Sequence, residues 1–170
     1  MAEEKEKSAL ELIAEVLLRH GVEFIVVGGQ AELLHGSSRV TYDIDFCYRR
    51  TRENLVRLAE ALVELKPTLR GAPPGLPFRL DAEALALGSN YTFRTALGDL
   101  DLLGYLEPFG DFEAIANRAI TLSVGELELR VIHLDDLIAI KQHIGRPKDQ
   151  LSLMHLLAIR KTRSESGAGE

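Results

Sequence analysis

Val27-Gly28-Gly29, thirteen intervening residues, and then Asp43-Ile44-Asp45-Phe46 form the stretch on which the reading of this chain turns. A strand sends the side chains at i and i+2 to one face, so Asp43 and Asp45 are expected side by side. Two carboxylates that close repel unless a cation lies between them, and hard cations such as Mg2+ prefer oxygen ligands. A glycine pair suits a turn at which backbone must approach a phosphate closely. The stretch therefore reads as a metal-dependent nucleotide site.

Working outward, Val22 to Val27 is an apolar run expected as a strand buried on both faces. Before it, Leu10, Ile13 and Leu17 recur at helical spacing between Glu6 and His20, with Gly21 as the stop. After the glycines a short helix is expected over Gln30 to His35, then a polar loop through Ser37, Ser38 and Arg39, then a strand from Tyr42 to Tyr48. Leu55, Leu58, Ala59, Leu62 and Leu65 mark an amphipathic helix from Thr51, the expected N-cap. Prolines and glycines make Lys66 to Pro77 a connection or a loop over the site. A short helix over Asp81 to Leu87 follows, then paired strands over Ser89 to Thr95 and Asp99 to Leu106. Further on, the pattern predicts a helix over Asp111 to Asn117, a strand over Glu126 to Ile132, and helices over Leu134 to Ile144 and Pro147 to Arg160. The order implies an α+β fold with an α/β-type mixed sheet, flanked and closed by helices. One domain over residues 1–163 and a fraying tail over 164–170 are expected.

Composition excludes several classes. A chain of 170 residues that is 46% hydrophobic and 27% charged can bury an ordinary core. Nothing in it approaches a membrane-spanning apolar run, and its charged start is unlike a signal segment. Net charge of -6 argues against a general nucleic-acid coat, which must neutralise many phosphates. A lone Cys47 forms no internal disulfide and points to the reducing cytoplasm. The histidines form no zinc-like cluster.

Two-metal chemistry needs a third carboxylate. Asp101, between Leu100 and Leu102, is preferred over Asp99, which lies nearer the turn. The structural alternative has Asp43 capping a turn and Asp45 pairing with Arg49 or Arg39. Tyr91 and Phe93 could stack on a base, but on an alternating strand they read as core.

Three segments resemble the DNA polymerase β-type nucleotidyltransferase superfamily. Val27-Gly28-Gly29 with Asp43-Ile44-Asp45-Phe46 fills its signature, and Thr95 to Leu103 resembles the strand that carries its third carboxylate. Leu134 to Lys141 with Gly145-Arg146-Pro147-Lys148-Asp149 resembles small prokaryotic members, the abortive-infection nucleotidyltransferase toxins among them. The resemblance implies the minimal nucleotidyltransferase fold and transfer of an NMP from an NTP to an acceptor hydroxyl. Asp43, Asp45 and Asp101 would hold two Mg2+ or Mn2+ ions. It makes Lys141 and Lys148 the favoured phosphate contacts. Arg146 could bind a phosphate or the acidic site itself, and Arg39 is a further candidate from its place between the glycine turn and Asp43; the structural alternative pairs the Lys141 and Arg146 cluster with Asp135, Asp136 or Asp149. Many members place Ser directly after the first Gly, whereas this chain has Gly29 and Gln30. The phosphate role then falls to the N–H groups at Gly28 and Gly29, to Gln30, or to Ser37 and Ser38. The acceptor stays open among tRNA, protein and a small molecule, and a toxin role with an antitoxin partner rests on the resemblance. A binding module without chemistry is the alternative.

Overall fold

Alternation along the strands assembles the sheet. The protein is described by a computed structural model covering residues 6–73 and 78–166. Pro74, Gly75 and Pro77 of the expected connection, and the last four residues of the expected tail, lie outside the described residues. β1 (Phe24–Val27) is buried at every position. It runs antiparallel to β2 (Ile44–Tyr48), with Phe24 opposite Tyr48 and Val27 opposite Asp45. β5 (Gly98–Leu103) lies parallel to β2 and sets Asp101 opposite Asp45. β4 (Asn90–Thr95) and β3 (Thr68–Leu69) continue to one edge, while β7 (Leu127–Val131) and β6 (Ile120–Val124) continue from β1 to the other. The described residues thus form a seven-stranded mixed sheet of order β3-β4-β5-β2-β1-β7-β6.

Register sorts the residues by face. Phe24, Val26, Phe46, Leu100 and Leu102 share one face and are buried there, with the Phe24 and Phe46 rings 4.5 Å apart. The other face carries Val27, Asp45, Asp101 and Leu103 in neighbouring positions. Helices cover the sheet in two groups. α1 (Ala9–Arg19) packs on α3 (Arg52–Leu65), which packs on α4 (Ala82–Leu87). α2 (Gly28–Leu34) packs on α6 (Leu134–Ile144), which packs on α7 (Gln150–Glu165); α5 (Phe112–Ala116) lies against β1. No helix among the described residues is long and apolar enough to cross a membrane.

Thr51 caps α3 as expected, accepting from the Asn54 N–H at 3.3 Å. Asn54 itself is fully buried and ties the ends of β1 and β2 together through the Glu23 and Arg49 backbone. Four expectations are corrected. β2 begins at Ile44 rather than Tyr42: Asp43 lies just ahead of the strand, where its carbonyl accepts from the Gln30 amide. The connection after α3 contains β3, whose two residues pair with Arg94 and Phe93. β6 was not expected; it forms a hairpin with β7 around Gly125, at φ +60°. The last helix opens with a 3-10 turn over Pro147–Asp149 and runs on to Glu165, through the start of the expected tail.

Candidate active site

The glycine turn is dictated by the acidic strand beside it. Gly28 has φ +65°, and a Cβ there would collide with the Asp45 carboxylate. A Cβ on Gly29 would come within 2.6 Å of the Thr41 hydroxyl oxygen. Both glycines let the first turn of α2 lie directly against the chain that carries the acids. Closeness to the protein's own acidic segment therefore requires them, a demand the sequence reading had placed on a phosphate.

Asp45 is the electrostatic centre of the site. Burial is the largest force on its carboxyl, followed by hydrogen bonding to Asp101 and the charges of Asp101 and Asp43; together they push it up to about 7, against the pull of Lys141. Asp101 is also held by Arg70, whose guanidinium bonds it and reaches Asp99 at 3.3 Å. Arg70 follows β3, and its own N–H donates to Thr92 O at 3.0 Å. Asp99 is the more exposed of the two acids. Asp43 is exposed just ahead of β2, and its carbonyl accepts from the Gln30 amide at 3.4 Å.

The cations approach from α6 and α7. Lys141 bonds Asp149 at 3.1 Å and Glu32 at 3.4 Å, with all three side chains largely buried. Arg146 reaches the second oxygen of Asp149 at 2.6 Å. Burial would raise the Asp149 carboxyl, but the bonds from Arg146 and Lys141 outweigh it and hold the group below its ordinary value. Arg39 donates to the Ser152 hydroxyl on α7.

One cavity of about 560 Å3 joins these groups. Its walls include Gly28, Gly29, Asp43, Asp45 and Asp101, and facing them Arg39, Lys141, Arg146 and Lys148. Gln30 and Ser38 are not on its walls: Gln30 serves the Asp43 backbone, and Ser38 is exposed beside the buried Ser37, which accepts from the Arg39 N–H at 3.4 Å. Arg49 pairs with Glu23 and Glu113, away from Asp45. Tyr91 bonds backbone around Leu85 and Gly88, and Phe93 is buried, so neither faces the cavity.

Asp43, Asp45 and Asp101 offer carboxylate oxygen alone, the donor type that Mg2+ and Mn2+ prefer, and Asp45 is raised first by burial and then by its acidic neighbours. Among the described residues no three acids, histidines or cysteines are gathered for metal binding; Asp43 stands off ahead of the strand and Arg70 is bound to Asp101. Sequence reasoning missed Arg70 and Glu32, while Asp149 as a partner of these cations was among its structural alternatives. Glu32 had a signal, since it lies one helical turn after Gly28. Arg70 had none within its proline- and glycine-rich surroundings.

No protein-family model and no curated protein sequence matches the chain. Solved structures do. The lincomycin-bound lincosamide antibiotic adenylyltransferase LnuA superposes with TM-score 0.57 at 14% identity, over 89% of this chain and 96% of that one. The antibiotic-resistance factor ANT(2'')-Ia gives 0.56 at 13%, over 94% and 92%. A nucleotidyltransferase-like antigenic protein from Paracoccidioides brasiliensis gives 0.56 at 16%, over 88% and 72%. With a mixed sheet of the order described above and this likeness along most of its length, the chain has the nucleotidyltransferase fold.

Proposed function

We propose that the protein is a metal-dependent nucleotidyltransferase that moves an NMP from an NTP to an acceptor hydroxyl and releases pyrophosphate. The observation that carries this reading is the juxtaposition of Asp45 and Asp101, in register on adjacent strands, with four cations across one cavity. Asp43, Asp45 and Asp101 would hold Mg2+ or Mn2+, which when bound neutralises phosphate charge and acidifies the acceptor hydroxyl. Lys141, Arg146 and Lys148 would bind the β- and γ-phosphates and stabilise charge on the departing pyrophosphate. Arg39, set by Ser152, would reach the same phosphates. The acceptor oxygen bonds to the α-phosphorus as the bond to the bridging oxygen breaks, and Asp101 receives the acceptor proton.

The test incubates the protein with each labelled NTP, Mg2+ or Mn2+, and three acceptors: lincomycin, tRNA and a protein lysate. Lincomycin enters because a lincosamide adenylyltransferase is among the structural neighbours. Label on one acceptor class is expected, with at least about a 10²-fold loss in the Asp43→Ala/Asp45→Ala variant. Label on tRNA or protein would fit a toxin acting with an antitoxin. A second reading, a nucleotide-binding module without chemistry, is favoured by Arg70 on Asp101 and by Asp149 between Lys141 and Arg146. It predicts that NTP raises the melting temperature with no label transferred.

A further inference from the structure

Beyond Asp101 the cavity changes character. Leu103, two residues along β5 on the same face, begins an apolar wall continued by Leu106, Ile140 and Ile144. Ile140 and Ile144 stand one turn apart on α6, on the side of the helix that also carries Lys141 to the phosphate end. The same four apolar residues line an adjoining recess of about 500 Å3, so the two spaces share a wall. Tyr105 and Ile144, at 52% and 43% exposure, leave large apolar surface open at its mouth.

Charge is divided sharply between the two spaces. The basic side chains named above, Arg39, Lys141, Arg146 and Lys148, line the cavity and not the recess. Among the described residues the recess has no Lys or Arg on its walls; its rim carries the Glu107 carboxylate, 3.1 Å from the His143 ring and largely exposed. A triphosphate belongs at the basic end, which leaves the recess to the acceptor. A nucleic-acid backbone would meet apolar surface and a carboxylate there, and among the described residues its phosphates would find on the walls no basic group but His143, which is already tied to Glu107. A molecule with an apolar side and a protonated amine meets its complement.

Resting on the nucleotidyl-transfer reading, we infer that the recess is an acceptor subsite for a small amphipathic amino alcohol. Its apolar side packs on Leu103, Leu106, Ile140 and Ile144, its ammonium faces Glu107, and its hydroxyl points back toward Asp101. The acceptor is then a small molecule, and neither RNA nor protein.

Calorimetric titration tests this in two stages on one sample. A non-hydrolysable NTP with Mg2+ is titrated first, and failure to bind overturns the nucleotidyl-transfer reading and the subsite with it. Phenylalaninol and serinol, which share an amino-alcohol head and differ in the phenyl group, are then titrated into the NTP-loaded protein. Phenylalaninol is expected to bind at least tenfold more tightly. Ile144→Asp, at a half-exposed position outside the core, should abolish that preference, and Glu107→Gln should weaken both ligands by a similar factor. Equal binding of the two, binding of neither, a preference that survives Ile144→Asp, or displacement of phenylalaninol by a short single-stranded RNA would each overturn the subsite while leaving the NTP result intact.

Discussion

At Asp45, burial and two neighbouring acids hold the carboxyl well above its ordinary 3.8, up to about 7. Between those values the native state binds more protons than the unfolded chain, so stability falls as pH rises through that window. The sign is opposite for Asp149, whose depressed value adds stability that is lost only as pH falls below the ordinary carboxylate range. In EDTA, the melting temperature should therefore decline from about pH 4 to about pH 7 through Asp45. Asp45→Asn should flatten that decline, and Mg2+ at the upper pH should raise the melting temperature of wild type far more than that of the variant. Thermal melts in a pH series check it, and an unchanged slope in Asp45→Asn would assign the titration to another group. At this scale the acids were legible because alternation and spacing are local properties of sequence. Arg70 was not, because its tie to Asp101 depends on β3, a two-residue strand with no periodicity to announce it.

Among the elements, the junction of β1, α2 and β2 was readable from sequence for one reason and is built for another. A buried run, two glycines and an alternating acidic strand located it, yet the glycines answer to side chains of the protein itself. Gly28→Ala should thus act twice. The left-handed φ costs a non-glycine residue about 1–2 kcal/mol, and the methyl group must displace the Asp45 carboxylate. The expected result is a lower melting temperature and loss of most of the Mg2+-induced rise, measured by thermal unfolding with and without the ion. Retention of the full rise would show that Asp45 keeps its place without the glycine. β6 escaped the reading although Ile120, Leu122 and Val124 alternate with Thr121 and Ser123. It is an edge strand whose apolar residues are only half-buried, so its sequence carries a weaker apolar signal than β1 does. The start of β2 was misplaced because residue type does not show that the Asp43 carbonyl is taken by the Gln30 amide.

Over the whole molecule, a chain of net charge -6 has gathered Arg39, Lys141, Arg146 and Lys148 around one cavity and then tied two of them to an acid. The net charge and Asp149 as a partner were legible, but Glu32 was not, because it meets Lys141 only when α2 and α6 pack together. Asp149 consequently has two opposed effects. It neutralises cations that would otherwise repel one another, and it competes with phosphate for the same N–H groups. Asp149→Asn should separate the two. Breaking a buried pair costs about 3–5 kcal/mol, and the half-exposed Arg146 places this case nearer 2–4 kcal/mol. For a domain of this size that lowers the melting temperature by several degrees in the absence of ligand. With Arg146 released and Lys141 left to Glu32 alone, the rise in melting temperature produced by saturating NTP and Mg2+ should be larger in the variant than in wild type, and Lys141→Ala should shrink it. Melts across an NTP series measure both terms at once. A variant destabilised by this amount with no gain in its response to NTP would mean that Asp149 only braces the helix junction, and that phosphate is held by Lys148 and Arg39 instead.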